Sequence, residues 1–168
     1  MVQDIFIEQT VQRIENPMTR ILYLISFIFA VINYIFALIF LFYPMLLPAV
    51  LFTILAYILH RDLKVEFDYS YTNGIIDVAK VRNGSRRKHL CEISRDDLVV
   101  MAKTHTDPVK PYMGGGIKSI DATSHIPGNT YYVLIFKDKE GSHEKLLFEP
   151  DEEFRNMLKR MNPNQVNL

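Results

Sequence analysis

The sequence predicts an α-helical transmembrane hairpin followed by an all-β domain that ends in one helix. Three observations predict this fold class. Residues 21–59 contain no charged residue and no histidine. After Lys64, apolar and polar side chains alternate in short runs that Asn-Gly turns separate, and an amphipathic pattern closes the chain. We therefore divide the chain into an N-terminal segment (1–19), a two-helix hairpin (20–63) and a β-rich domain (64–168).

The overall composition excludes several function classes. The 168 residues include 19 Lys+Arg and 19 Asp+Glu, so the formal net charge is zero. A generic nucleic-acid-binding protein would be basic, and we expect no nucleic-acid partner. Cys91 is the one cysteine, which excludes an internal disulfide framework and a cysteine-rich zinc site.

The uncharged stretch is too long for one membrane span. As a single helix its 39 residues would measure about 58 Å, roughly twice the hydrocarbon thickness of about 30 Å. Pro44 and Pro48 disfavour helix continuation near its middle. Two antiparallel helices near 20–42 and 46–63 fit better. The second is short, and a re-entrant hairpin remains an alternative.

The flanking charges predict the orientation of the hairpin. Arg13 and Arg20 precede the first span, Arg61 and Lys64 follow the second, and the turn between them is uncharged. By the positive-inside rule, both termini are expected in the cytoplasm of a multi-pass cell-membrane protein. The apolar run is also too long, and starts too late, for a cleaved signal peptide.

Small or weakly polar residues recur along one face of each predicted helix. Such faces allow close helix packing in lipid, and an asparagine there could donate a hydrogen bond across the interface. The hairpin could pack on itself through them, or they could meet a membrane-protein partner or a second copy. The absence of intramembrane charge disfavours an ion pathway. The residues are Ser26, Ala30, Asn33 and Ala37 in the first helix, and Ala49, Thr53 and Ala56 in the second.

The N-terminal segment mixes apolar and charged residues. Val2, Ile5, Phe6 and Ile7 are apolar, and charged residues lie between and after them. A short interfacial helix that ends before Pro17 fits this composition, and so does a mobile tail.

Seven strands are predicted in the β-rich domain. Residues 65–72 alternate without error, and Asn73-Gly74 and Asn83-Gly84 are strong signals for tight hairpin turns. Residues 104–130, rich in Pro and Gly, read as a loop around one short strand. The predicted strands span residues 65–72, 75–82, 89–93, 98–103, 117–123, 131–137 and 143–149.

An amphipathic helix is predicted at the end of the chain. Pro150 and the acidic residues after it suit a helix N-terminus. The residues Phe154, Met157, Leu158 and Met161 then fall on one face. Seven strands followed by one helix is the element order of the pleckstrin-homology (PH) fold, a sandwich or barrel that the helix closes.

The sequence also resembles a known family. The apolar hairpin, Phe67–Gly74, Arg86-Arg87-Lys88 and Leu146–Pro150 before the last helix are similar to an uncharacterised bacterial membrane-protein family. The resemblance implies a two-helix membrane hairpin with a PH-like cytoplasmic domain. It implies no activity, because fold alone does not determine function.

The basic second turn is the best candidate contact site. Arg82, Arg86, Arg87 and Lys88 cluster around it, with His89 following. The first strand leaves the membrane and the second returns, so this turn should lie near the headgroups. Anionic lipid attracts each Lys or Arg there by about 1 kcal/mol. The turn could contact lipid, contact a protein partner, or be solvated.

Other motifs are weak. The Gly114–Ser119 segment lacks the full P-loop pattern. His105, His125 and His143 have no metal-ligand spacing. Ser119, Ser124 and Cys91 lie in no nucleophile motif, and we expect no cofactor, no metal and no catalytic residue.

The sequence therefore predicts a non-enzymatic, membrane-anchored binding or scaffold module at the cytoplasmic face of a bacterial membrane. The lipid bilayer and a membrane-protein partner or homo-oligomer are its expected partners, with anionic lipid headgroups as a further possibility. The alternatives are an anionic-lipid sensor that uses the basic turn and a subunit of a membrane enzyme complex.

Overall fold

The computed structural model describes residues 6–61 and 63–168, so the prediction for residues 1–5 lies outside the described part. Two compact units divide the chain. The helical unit contains Ile14–Val65 together with the short segment Arg82–Gly84. The β-rich unit contains the residues before Ile14 and the remainder of the C-terminal part.

The helical unit is an antiparallel pair, α1 (Pro17–Ile39) and α2 (Leu46–Arg61). The Asn16 side chain caps α1 by accepting a hydrogen bond from the Met18 amide, and Pro17 occupies the first turn, where no amide is needed. A short 3-10 turn, Tyr43–Met45, precedes α2. Helix α1 and the stretch Tyr43–Arg61, which comprises the 3-10 turn and α2, are each long and apolar enough to cross a membrane, judged by length and composition.

The first sheet of the β-rich unit has four strands, in the order β1-β2-β3-β4. Asn73 and Gly74, like Asn83 and Gly84, have positive φ, as tight hairpin turns require. Both Asn-Gly turns therefore lie where the sequence predicts them. The strands are β1 (Phe6–Gln12), β2 (Val65–Thr72), β3 (Ile75–Arg82) and β4 (Arg86–Ser94).

The N-terminal segment forms strand β1. It is neither the interfacial helix nor the mobile tail that the sequence predicts. It pairs antiparallel with β2 over seven residues, from Phe6↔Thr72 to Gln12↔Glu66. Its side chains alternate between exposed and half-buried, the pattern of a strand with one face covered. Pairing with a strand beyond the helices overrides the weak local preference of this segment.

The second sheet contains four strands in the order β5-β7-β8-β6. Strands β5, β7 and β8 pair antiparallel, whereas β6 lies parallel to β8 at the edge. With β1, the described residues form eight strands instead of the predicted seven. The strands are β5 (Leu98–Lys103), β6 (Lys118–Asp121), β7 (Tyr132–Lys137) and β8 (His143–Phe148).

An aromatic cluster lies in the core of the β-rich unit. Tyr69 contacts Phe148 and Phe154 edge-on, with ring centroids 5.7 and 6.3 Å apart. All three side chains are almost completely buried. Edge-to-face aromatic pairs of this kind add to the free energy gained from burial.

Strand β7 is buried on both faces, as its continuous apolar character predicts. A second small core explains this. Val133 and Ile135 pack with Ala102 and with Val109 of the long loop, and Tyr112 and Met113 pack against the same cluster. Part of the 104–130 loop is therefore anchored on the sheet.

The chain ends with α3 (Glu152–Met161) and a short tail. Asp151 caps the helix by accepting a hydrogen bond from the Phe154 amide at 2.8 Å. In the tail, the completely buried Val166 bridges to Met101 of β5. The Met101 amide donates to the Gln165 carbonyl, and the Met101 carbonyl accepts from the Asn167 amide.

Candidate functional site

The second hairpin turn belongs to the helical unit. Arg82, Asn83 and Gly84 group with the two helices and not with the strands that the turn joins. The Asn83 amide donates to the carbonyl of Lys64, at 2.9 Å. Because Lys64 lies three residues after the end of α2, this hydrogen bond holds the turn to the end of the hairpin.

Positive charge is concentrated at one end of the helical unit. The rings of Tyr23 and His60 lie 5.3 Å apart, so the start of α1 and the end of α2 meet there. Arg20 and Arg61 lie at this end, and Lys64 with Arg82 follow in the same unit. The opposite end, Leu41–Met45, has no charged residue. This asymmetry is typical of a helical hairpin with its basic end in the cytoplasm.

One basic side chain at the start of β4, Arg87, is partly neutralised. The Arg87 guanidinium lies 3.8 Å from a carboxylate oxygen of Asp68 and 3.7 Å from one of Asp77. His89 Nδ1 lies 2.7 Å from the other oxygen of Asp77. Arg87 is therefore a weaker anion ligand than its position in the sequence indicates.

Arg86 and Lys88 differ from Arg87, which is also exposed but lies near two carboxylates. Both side chains are exposed, and neither has an ion pair with another of the described residues. Their positive charge attracts anions.

The small residues of the helices are placed as follows. In α1, Ser26, Ala30 and Ala37 are buried, and in α2, Ala49 and Ala56 are buried. The Thr53 hydroxyl donates to the Ala49 carbonyl and lies 3.5 Å from the Tyr34 hydroxyl. The Asn33 amide donates to the Phe29 carbonyl of its own helix at 2.8 Å. The hydrogen bond of the Asn33 amide therefore lies within α1 and does not cross the helix interface.

A polar network that sequence reasoning missed joins β1 to the segment after β6. The Arg13 guanidinium lies 3.0 Å from a carboxylate oxygen of Asp121 and donates to the carbonyls of Asp121 and Thr123. It also stacks over the Phe67 ring. His125 Nε2 lies 2.7 Å from the other Asp121 oxygen. Because Arg13 and Asp121 are 108 residues apart, no local pattern could have predicted this pair.

The electrostatics of Asp121 follow from this network. Partial burial disfavours its charged form, but hydrogen bonds to the carboxylate outweigh this effect. The Thr123 amide and hydroxyl donate at 3.0 and 2.8 Å, and His125 adds a third bond. The pKa of Asp121 is therefore lowered from its usual value.

Glu149 holds the neighbouring loop in place. The Ser124 hydroxyl donates to one carboxylate oxygen at 2.9 Å, and the Ser124 amide donates to the other. The Asn129 amide donates to the first oxygen at 3.0 Å. Ser124 is buried. Its hydroxyl is held within the fold and is not presented as a nucleophile.

The other residues that the sequence offers as site candidates form no common site in the described part of the chain. His143 packs near the Tyr112 ring, 5.4 Å between centroids, whereas His125 pairs with Asp121. Among the described residues, no group of three or more His, Cys, Asp or Glu could hold a metal ion. Gly114–Gly116 are exposed, with no cradle around them. Burial raises the pKa of Cys91 to about 12, so its thiol is unreactive at neutral pH.

A protein-family model covers nearly the whole chain. The family model described as Bacterial PH-like domain (DUF6106) matches residues 3–168. No curated protein and no solved structure matches the chain.

Proposed function

The chain belongs to the bacterial PH-like domain family DUF6106, and from this premise we propose that it is a membrane-anchored binding module. In this proposal α1 and α2 cross a bacterial cell membrane as a hairpin with both termini in the cytoplasm. The PH-like domain then acts without catalysis at the cytoplasmic face, as a scaffold for a membrane-protein partner or within a homo-oligomer.

The observation that carries this proposal is the hydrogen bond from the Asn83 amide to the Lys64 carbonyl. It ties the basic turn to the end of α2, where Arg61 and Lys64 also lie. Positive residues next to a span stay in the cytoplasm and near anionic headgroups, so charge orients both the hairpin and the turn.

Cysteine accessibility tests the topology. In a Cys91→Ala background, we compare Tyr43→Cys, in the short turn between the helices, with Ser85→Cys, in the basic turn. A membrane-impermeant maleimide added to intact cells should label position 43 and spare position 85 until the cells are permeabilised. Labelling of position 85 in intact cells would contradict the proposed orientation.

A second function, contact with anionic lipid, is favoured by the exposure of Arg86 and Lys88. A bimane dye on Ser85→Cys should report a less polar environment in nanodiscs with phosphatidylglycerol than in nanodiscs with phosphatidylcholine. Salt should reduce the difference, because exposed charges are screened. Replacing Arg86 and Lys88 with Ala should abolish it.

The matched control removes two charges elsewhere. Lys137 and Lys139 are also exposed but lie at the turn between β7 and β8. Their double Ala variant should keep the lipid response. If both double variants respond like the parent, the basic turn does not contact lipid, and the scaffold role stands without it.

A further inference from the structure

The four sheet edges in the described part of the chain differ in their protection. Exposed edges present unpaired amides and carbonyls, and proteins usually blunt them with charge, short length or a covering segment. The C-terminal tail bridges to β5 through Val166. Strand β6 has four residues, and β4 begins with three basic ones.

Strand β1 is the exception. It has seven residues, no Lys and no Pro, and its single charged residue is the exposed Glu8. One side pairs with β2, and the other has no backbone–backbone hydrogen bond to the described residues. The Gln9 side chain, in the middle of the strand, donates to the Glu149 carbonyl and accepts from the Asp151 amide. The apolar Phe6 side chain remains 60% exposed. By these criteria β1 is open to a further strand.

A groove runs beside this edge. It lies between the start of β1 and the exposed face of α3, with a volume of about 630 Å³, within the size range of ligand sites. Phe6, Ile7 and Met157 provide apolar surface. Glu152 and Glu153 make the start of α3 acidic, and Arg160 lies at its far end.

We propose that β1 accepts an extended, basic segment of a partner protein as an additional strand of the first sheet. Main-chain hydrogen bonds to β1 would supply affinity, and the groove would receive alternate side chains. Glu8, Glu152 and Glu153 select lysine or arginine in the partner by charge complementarity. This inference rests on the proposed scaffold function and names its partner class.

Membrane proteins supply such segments. Their cytoplasmic loops next to the spans are enriched in Lys and Arg, and β1 ends five residues before the start of α1. A second copy fits less well. Strand β1 contains no Lys or Arg, so pairing β1 with β1 would place two copies of Glu8 on one ribbon without a basic partner.

The test uses the full chain in a neutral detergent. The probe is a fluorescein-labelled octapeptide of alternating lysine and valine, and the control peptide replaces lysine with glutamate. Fluorescence anisotropy should show saturable binding of the basic peptide and none of the acidic one. Hydrogen exchange measured by mass spectrometry should show new amide protection within residues 6–12, because strand addition occupies the free amides of β1.

Two variants locate the site. Glu152→Lys with Glu153→Lys should weaken binding about tenfold through lost charge complementarity. Phe6→Ala should weaken it by removing an exposed apolar contact without opening a core cavity. Glu92→Lys with Glu140→Lys makes the same charge change at exposed positions away from the groove, and it should leave affinity unchanged.

Several outcomes would overturn the inference. One is the absence of binding, and another is binding without protection of residues 6–12. Equal loss in the groove and control variants would indicate nonspecific charge attraction. A peptide-free dimer with residues 6–12 already protected would assign the edge to a second copy. Because none of these variants changes a residue of the basic turn, α1 or α2, the topology experiment separates failure here from failure of the proposed function.

Discussion

Removing the Tyr69 hydroxyl should destabilise the β-rich unit, although the change deletes one atom. This hydroxyl donates to the Ala122 carbonyl and lies 3.4 Å from the Glu149 amide, for which it is the acceptor. Tyr69 and Ala122 are both completely buried. Tyr69→Phe keeps the ring and its contacts with Phe148 and Phe154, so packing is nearly unchanged. What is lost are the two hydrogen bonds of the hydroxyl, to the Ala122 carbonyl and from the Glu149 amide.

The expected cost follows from leaving buried polar groups unpaired. A buried carbonyl that loses its donor costs about 1–3 kcal/mol. We expect Tyr69→Phe to lower the free energy of unfolding by about 2 kcal/mol. For a unit of this size, that corresponds to a fall in Tm of about 8–10 °C.

Tyr71 provides a matched control on the same strand. It is two residues further along β2, on the same face, and is 1% exposed. Its hydroxyl is buried without a well-formed hydrogen bond to the described residues. Tyr71→Phe removes the same atom but breaks no such bond, and it should change the free energy of unfolding by less than about 0.5 kcal/mol.

Thermal unfolding of the full chain in mild detergent, followed by near-ultraviolet circular dichroism, measures both variants. The sequence has no tryptophan, so tyrosine and phenylalanine packing dominate this signal. The reasoning would be refuted if the two variants lost equal stability, or if Tyr69→Phe were as stable as the parent.

Three further outcomes are expected. The pKa of Asp121 is lowered in the folded chain. Its contribution to stability is therefore present above the unfolded pKa of about 3.9 and is lost as pH falls through the folded value. The Tm difference between Asp121→Asn and the parent should be largest near pH 6 and shrink below about pH 4. Deleting residues 165–168 removes the buried Val166 and two backbone hydrogen bonds to Met101, and it should lower the free energy of unfolding in urea by about 2–4 kcal/mol. Deleting the exposed Leu168 alone should leave this free energy almost unchanged. Cys91 should react with a maleimide at pH 8 only as urea unfolds the chain, because about one thiol in 10⁴ is ionised at a pKa of about 12. Rapid labelling of Cys91 in the native chain would contradict its burial.

Local patterns predicted much of the fold. The alternation in residues 65–72, the two Asn-Gly turns and the continuous apolar run of β7 each reflect the period of a strand or the geometry of a turn. The apolar face of α3 and its acidic first turn predicted the closing helix in the same way. These signals lie within a few residues of one another.

The remaining features depend on residues far apart in the chain. Strand β1 becomes a strand through pairing with β2, on the other side of two helices. The sequence alone indicates an available charge on Arg87, but Asp68 and Asp77 approach it from neighbouring strands. Hydrophobic periodicity contains no information about such contacts.

The position of the hairpin in the chain has a consequence for proteolysis. Helices α1 and α2 are inserted between β1 and β2, which pair with each other over seven residues. The PH-like domain therefore has two covalent connections to the helices, one at each strand. A protease that cuts only between Gln12 and Pro17 leaves the domain attached through Lys64 and Val65. Release of the domain requires a second cut, or removal of β1 from the sheet.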